Sequence, residues 1–246
     1  LMTDKLRAQQ EKLIINERHE AWESLARKLA HEIKNPLTPI QLTVDRLKNI
    51  YSEKIDIEQK EDFTKSLKII GKQIKQIENL VNEFSDFARM PKPIFKDNDL
   101  VILIKDNIKL INELDEKTLI NFNNNIDQVI FNSDNEQLSR VFLNLIKNSI
   151  ESIQEKRLNN MNFKGIIDIA LNNNISDISL VITDNGLGFK NFKENIKDIL
   201  NPYFTTKKKG TGLGLAIVNK IVNDHNGSIK FKSIDNGAMI QIIFIK

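Results

Sequence analysis

The chain of 246 residues contains no cysteine, which excludes a disulfide scaffold, thiolate zinc ligation and a cysteine nucleophile. It has no run of about 18 apolar residues, so nothing in it reads as a membrane span. No signal peptide is visible at its start. The net charge is only +3, small for this length, and aromatic residues are 7%. That argues against a protein whose task is to coat nucleic acid, which carries a strongly basic face interleaved with aromatics. Only three histidines are present, His19, His31 and His225. Glycine and proline are also scarce: residues 1–90 hold one glycine, Gly71, and two prolines, Pro36 and Pro39.

What is present is enough for a core. Hydrophobic residues make up 40% and charged residues 28%, ordinary globular usage. The Gly/Pro-poor first part reads as helical. Apolar positions run Trp22, Ala26, Leu29, Ile33, then Ile40, Val44 and Leu47, with the prolines in the gap. A second helix carries Phe63, Leu67, Ile70, Ile74, Ile77, Val81, Phe84 and Ala88, alternating steps of four and three, a sustained heptad seam. One hairpin buries two such stripes poorly; two copies bury them as a four-helix bundle, so a homodimer is expected. The polar stretch Tyr51–Lys60 joins the two helices, and Met90-Pro-Lys-Pro-Ile-Phe95 breaks the pattern as a linker.

Beyond the linker the texture becomes mixed. A short helix is expected over 99–112, strands over Ile120–Ile126 and Gln128–Phe131, and a helix over Asp134–Arg157 with Asp134 as N-cap. Ile166–Leu171 and Ile178–Thr183 read as paired strands and Gly212–Asn226 as a helix. Ser228–Ile234 and Ala238–Ile245 form a hairpin across Asp235-Asn-Gly237. The fold class is α+β, a helical hairpin followed by a sandwich of sheet and helices. Phe189–Lys209 has little periodicity and reads as either a functional lid or a disordered loop.

Four sequence features carry chemistry. The first is His31-Glu-Ile-Lys-Asn-Pro-Leu-Thr-Pro39. On a helix His31 falls about 160° from Leu29 and Ile33 and should face water. An exposed imidazole is largely neutral near pH 7 and nucleophilic. Glu32 follows it as a proton acceptor or ring-orienting group, and Asn35 shares its face one turn on. Pro36 should bend or loosen the helix there. His19 and His225 read as ordinary solvated residues.

The second is Asn144-Leu-Ile-Lys-Asn148, whose two amides lie about 40° apart on the face opposite the core. An amide oxygen suits Mg²⁺, and Lys147 and Glu151 flank it. The third is Asp184-Asn-Gly-Leu-Gly188 at a strand end, where a carboxylate can accept from an exocyclic amine and glycines admit a flat ring. The fourth is Lys207-Lys-Lys-Gly-Thr-Gly-Leu-Gly214 entering a helix, an anion-binding arrangement that is neither a Walker loop nor a Rossmann turn. Taken singly, each has a bland equivalent: solvated asparagines, an Asp-Asn-Gly turn, a lysine-rich loop, a surface histidine.

Together and in this order they resemble the transmitter region of sensor histidine kinases over about residues 18–246. Ala30–Ile40, Phe87–Pro93 and Pro202–Gly210 look like the nitrogen-regulation, NtrY-like branch. The resemblance implies residues 1–17 as the end of an upstream signalling helix and 18–90 as a HisKA-type dimerisation and phosphotransfer domain. A linker at 91–98 and a catalytic ATP-binding domain of Bergerat type at 99–246 complete it. It implies that the hairpin forms a dimeric four-helix bundle.

It further implies His31 as phosphate acceptor, Glu32 as its base, and Asn35 as the group that places water for dephosphorylating a partner. Asn148 would hold Mg²⁺, with Asn144 and Lys147 near the phosphates of ATP. Asp184 would take the adenine amine above Gly186 and Gly188. Thr205, Thr206 and Lys207 belong to the lid, and Gly210, Thr211, Gly212, Leu213 and Gly214 frame its far hinge. The implied partner is the receiver domain of a response regulator; nucleic acid is not a partner. The chain opens on Leu1 within a helical pattern, which reads as the cytoplasmic portion of an inner-membrane sensor, reaching the membrane only through a missing upstream segment. One departure is Leu200, where the family often has Phe. An ATPase of the chaperone or mismatch-repair type remains an alternative, although such enzymes usually carry Glu where Asn144 stands. A phosphatase or docking scaffold is another.

Overall fold

A computed structural model of the chain describes residues 28–51, 54–88, 90–115, 117–123, 126–189, 199–202, 204–205, 207 and 210–246. The chain divides into two compact units, one ending at Pro91 and the other running Lys92–Lys246. Among the described residues no helix is long and apolar enough to cross a membrane.

The first unit is a pair of helices, α1 (28–51) and α2 (Ile57–Ala88). Helix α1 continues through Pro36 and Pro39 without a break in its helical pattern. Thr38 and Thr43 donate their hydroxyls to the carbonyls of Lys34 and Pro39, four residues back. The two helices meet along single heptad positions. Ala30 and Val44 are buried on α1, and Leu67, Ile74, Val81 and Ala88 on α2, with Leu37 and Phe63 packed against the Val44, Leu67 and Ile74 cluster. The other half of each seam stays open. Leu29 and Ile33 are 39% and 40% exposed, and Ile70 and Ile77 are 43% and 42% exposed. The apolar pattern is thus wider than one chain uses.

The second unit is a mixed sheet covered by helices. Strand β1 (Lys96–Asp99) pairs antiparallel with β3 (Ile130–Ser133). The main sheet has the order β2-β4-β5-β7-β6, with β2 (Thr118–Asn123) parallel to β4 (Gly165–Asn173) and all other pairs antiparallel. The remaining strands are β5 (Asp177–Asp184), β6 (Gly227–Ile234) and β7 (Gly237–Ile245). Helices α3 (Leu100–Leu114), α4 (Asn135–Asn159) and α5 (Gly214–Asp224) complete it. The strand at Thr118–Asn123 begins earlier than expected, and β3 begins and ends later; the intervening Asn-rich stretch carries no alternation to set a boundary.

Period-two alternation puts Ile167, Ile169 and Leu171 of β4, Ile178, Leu180 and Ile182 of β5, and Ile240, Ile242 and Phe244 of β7 into the core. They meet Phe142, Leu145, Ile146 and Ile153 of α4 and Val218, Ile221 and Val222 of α5. Asp184 continues the even-numbered, inward-facing row of β5. Parity alone therefore buries its carboxylate, which is 5% exposed.

Helix starts are fixed by side chains. Asp99 caps α3, accepting from Val101 N at 2.9 Å, and also accepts from Val129 N at 3.1 Å. Asp134 caps α4 through Gln137 N at 3.0 Å and accepts from Ile94 N at 2.8 Å. Burial alone would raise the Asp134 carboxyl, but the N–H groups of Ile94, Gln137 and Glu136 hold it below the ordinary carboxylate value. His225 is not a solvated residue. It is 2% exposed, accepts from Asp134 N on Nε2 at 3.0 Å, and faces the Ile221 carbonyl with Nδ1 at 2.8 Å. Its ring packs edge-on to Phe95.

Candidate functional site

On α1, His31, Glu32 and Asn35 are all exposed, and His31 and Asn35 share a face at i and i+4. The structure thus places the three groups together on the outer surface of the first unit.

In the second unit the candidate residues gather around the N-terminal half of α4, the end of β5 and the start of α5. Asn144 donates its amide to Arg140 O at 2.8 Å, and its Oδ1 lies 3.1 Å from where a Cβ on Gly214 would stand. Gly214 therefore lets the first turn of α5 pack against Asn144. Leu213, at the N-cap, is fully buried and makes no side-chain cap hydrogen bond. A helix start of this kind is a place where N–H donors can meet an anion. Thr211 Oγ1 accepts from Leu213 N at 3.3 Å, and Gly212 adopts φ 70°.

Lys207 bridges this region. Its ammonium donates to Asn148 Oδ1 at 3.1 Å and pairs with Glu151 Oε2. An amide oxygen and a carboxylate oxygen thus converge on one cation. Such a donor set fits a hard divalent ion of the Mg²⁺ class. Thr205 Oγ1 accepts from Lys207 N at 3.1 Å, and Gly210 N donates to Lys207 O at 3.2 Å. Thr206 lies outside the described residues. Lys147 is exposed and lines, with Arg140 and Asn144, a groove along the outer face of α4.

The Asp184 turn is the most tightly specified part. Ser149 donates to Asp184 Oδ2 at 3.0 Å, and Gly186 N to Oδ1 at 2.9 Å. Burial raises the Asp184 carboxyl, opposed by those two donors, by Ala238 N and by the charge of Lys156. Two glycines permit close approach. A Cβ on Gly186 would lie 2.4 Å from Ser152 Oγ, and one on Gly188 would lie 2.3 Å from the Gly237 carbonyl oxygen. Gly186 therefore lets the turn pack on the Ser152 side chain and Gly188 lets it pack on the Gly237 backbone, beside a buried carboxylate that carries a donor on each oxygen. These features fit a base that presents an amine.

Of the residues that sequence reasoning proposed, the structure joins Asp184 and Gly186 in one turn, with Gly188 packed on Gly237, and sets Asn148 on Lys207 and Asn144 against Gly214. Sequence reasoning missed Ser149, Ser152 and Lys156, which join α4 to the Asp184 turn. Their spacing of three and four residues was the available signal. It also missed Gly237, which appeared only as a hairpin residue.

Comparison with known proteins agrees with this geometry. Residues 21–93 match the His Kinase A (phospho-acceptor) domain, and residues 133–246 match the Histidine kinase-, DNA gyrase B-, and HSP90-like ATPase family. An NtrY-like sensor histidine kinase of Rickettsia prowazekii (strain Madrid E) is 39% identical over 244 residues, covering 99% of this chain and 39% of that protein. Nitrogen regulation protein NtrY of Azorhizobium caulinodans is 36% identical over 226 residues, covering 92% of this chain and 28% of that protein. The chain thus spans well under half the length of these curated relatives. Among solved structures, histidine kinase ThkA in complex with response regulator protein TrrA shares the fold at TM-score 0.65 and 24% identity, covering 98% of this chain and 67% of that one. The catalytic domain of ThkA matches at TM-score 0.54 and 25% identity, covering 62% of this chain and 96% of that one.

Proposed function

The chain belongs to the sensor histidine kinase family, and from that premise we propose that it uses ATP to phosphorylate His31 and passes the phosphoryl group to an aspartate of a response regulator. One observation carries the reading. A single chain presents an exposed His31 followed by Glu32 and Asn35 on α1, and a separate site where Asp184, Asn148 and the α5 N-terminus gather. A lone exposed histidine is ordinary; paired with a purine-nucleotide site it is a phosphate acceptor.

The residues divide the work. Asp184 accepts from the adenine amine, while Gly186 and Gly188 let the base lie against backbone. Asn144, Lys147, the Gly210–Gly214 segment at the entry to α5 and the lid residues Thr205, Thr206 and Lys207 meet the phosphates. Asn148 and Glu151 would hold Mg²⁺, which when bound neutralises phosphate charge. His31 supplies the nucleophilic nitrogen. As its bond to the γ-phosphorus forms, the bond from that phosphorus to the ADP oxygen breaks, and Glu32 takes the imidazole proton. Positioning and charge neutralisation carry this reaction, since little covalent help is needed. Asn35 favours a second activity, placing water for dephosphorylation of the regulator.

The active unit is a homodimer in which a second copy covers the open half-seam of Leu29, Ile33, Ile70 and Ile77. This portion works on the cytoplasmic side, where ATP is present. Purified protein incubated with Mg²⁺ and ATP labelled on the γ-phosphate tests the reading. Label that is acid-labile and base-stable is expected on the wild type and absent from His31→Gln. Equal labelling of the variant, or no label on the wild type while ATP binds, overturns it.

A further inference from the structure

The role of Lys156 depends on the proposed role of Asp184 as acceptor of an exocyclic amine. The turn bearing this carboxylate is not held by its own strand alone. Three side chains of α4 reach it, at positions i, i+3 and i+7, within a stripe about 60° wide. Ser149 Oγ donates to Asp184 Oδ2 at 3.0 Å. Ser152 Oγ accepts from Leu187 N at 2.9 Å. Lys156 Nζ donates to the Asn185 carbonyl at 2.6 Å and the Gly186 carbonyl at 2.9 Å.

The Lys156 ammonium is itself fixed. It sits 4.6 Å from the centroid of the Phe163 ring, so two carbonyls and an aromatic face surround it. Its two carbonyl partners belong to the residues on either side of the Asn185–Gly186 link. The Gly186 N–H, in the peptide unit of the Asn185 carbonyl, donates to Asp184 Oδ1 at 2.9 Å. Pinning both carbonyls therefore fixes the direction of that N–H and with it the plane of the carboxylate. Asn185 reinforces the same turn from the other side, donating its amide to Lys164 O and accepting from Ile166 N.

We infer that Lys156 is the positioning residue through which this site selects a purine bearing a 6-amino group. A purine with a carbonyl at that position sets oxygen against carboxylate oxygen, while one with an amine forms a hydrogen bond. The difference is felt only if the carboxylate cannot turn away. Ser149 and Gly186 N saturate one lone pair on each oxygen, and Lys156 keeps the Gly186 donor in place. The positive charge beside the turn also opposes the effect of burial on Asp184. The feature is invisible to a reading in which every polar helix position faces solvent.

The test compares binding of ATP and of inosine triphosphate, which carries oxygen in place of the amine, by calorimetry with Mg²⁺ present. The proteins are the whole chain, Lys156→Met and Lys156→Arg. The wild type is expected to favour ATP by about tenfold or more, the worth of one hydrogen bond to a charged group. Lys156→Met should lose about tenfold toward ATP and less than about twofold toward inosine triphosphate, collapsing the preference. Lys156→Arg should restore most of it, because charge and donors remain. Should the Met variant not fold, Lys156→Gln takes its place, with the same pattern expected. Equal losses toward both nucleotides, or none toward either, overturn the inference and leave Lys156 a structural clamp. A wild type that binds both nucleotides equally overturns the amine reading of Asp184 and this inference with it. A wild type that binds neither overturns the nucleotide site itself.

Discussion

Two glycine-to-alanine substitutions should shift stability in opposite directions. Gly237 has φ 142°, and a Cβ built on it would lie 1.8 Å from the Asp184 carbonyl oxygen, 2.7 Å from the Asp184 carbonyl carbon and 2.9 Å from Asn185 Cα. All three are backbone atoms, so no flexible side chain can yield. Strands β5 and β7 must part at the Asp184↔Ala238 pair, which also disturbs the hydrogen bond from Ala238 N to the Asp184 carboxylate. Left-handed strain contributes about 1–2 kcal/mol, and the lost bond about 1 kcal/mol or more. The total, about 3 kcal/mol, lowers the Tm of the unit Lys92–Lys246 by roughly 6–12 °C. Gly71 differs in every respect: it lies inside α2, and no described atom comes within 4 Å of its Cβ position. Alanine there should stabilise by roughly 0.5–1 kcal/mol through helix propensity. Calorimetric unfolding of both variants, with ATP binding measured alongside, checks the pair. Gly237→Ala should also lose nucleotide affinity, because Asp184 moves; Gly71→Ala should keep it. A Gly237→Ala protein with a wild-type Tm and wild-type affinity would refute the reasoning.

Two carboxylates of the second unit should respond to pH in opposite ways. Asp134→Ala removes the acceptor for Ile94 N and Gln137 N and should destabilise by about 1–3 kcal/mol at neutral pH. The folded-state pKa of Asp134 lies below its ordinary value of 3.8, so its contribution is complete above that value and is lost as pH falls through the depressed one. Urea unfolding of the two proteins should therefore converge at acid pH. Asp184 has the opposite sign: its folded-state value is raised, so the wild type loses stability as pH climbs from 3.8 through that raised value, and the penalty persists above it. Asp184→Asn should bind ATP poorly, yet unfold at a higher urea concentration than the wild type at pH 8. That advantage should vanish as pH falls below 3.8. An Asn variant less stable than the wild type at pH 8 contradicts the assignment of burial as the dominant effect.

Much of the fold was legible because its periods are clean. The four-and-three spacing of Phe63 to Ala88 marks α2 over most of its length, and the alternation in Ile178–Thr183 and Ala238–Ile245 marks β5 and β7. The Asp235-Asn-Gly237 turn and the Asp134 cap declared themselves through residues whose backbone or side-chain chemistry is nearly unique. Boundaries failed where composition is uniform, as in the Asn-rich stretch after β2. His225 was misread because a histidine near a helix end reads as exposed. Yet it lies four residues after Ile221 and seven after Val218, on the buried face of α5, where it ties Asp134 to Ile221.

The candidate site was legible in a narrower sense. Residues that contact a ligand directly advertise their chemistry, whereas residues that hold those residues do not. Asp184 stood out as an acid between a strand and two glycines. Ser152 and Lys156 looked like the polar side of an ordinary helix, Ser149 like a small residue on its core face, and Gly237 like a hairpin tip. Each acts through a contact made only when α4, β5 and β7 have packed: Ser149 on Asp184 Oδ2, Lys156 on the carbonyls of Asn185 and Gly186, Gly237 beneath the Asp184 carbonyl. The glycines show the same division. Eight of the nine lie beyond residue 164, and the three with positive φ, Gly188, Gly212 and Gly237, lie beside the Asp184 turn or at the entry to α5. Composition reveals where backbone freedom is concentrated; only the packed sheet reveals that Gly188 uses it against the Gly237 backbone and Gly237 against the backbone of Asp184 and Asn185. On the proposed reading, selectivity for the base is then a property of the α4–β5–β7 junction as a whole, with the Asp184 carboxylate as the group that meets the ligand.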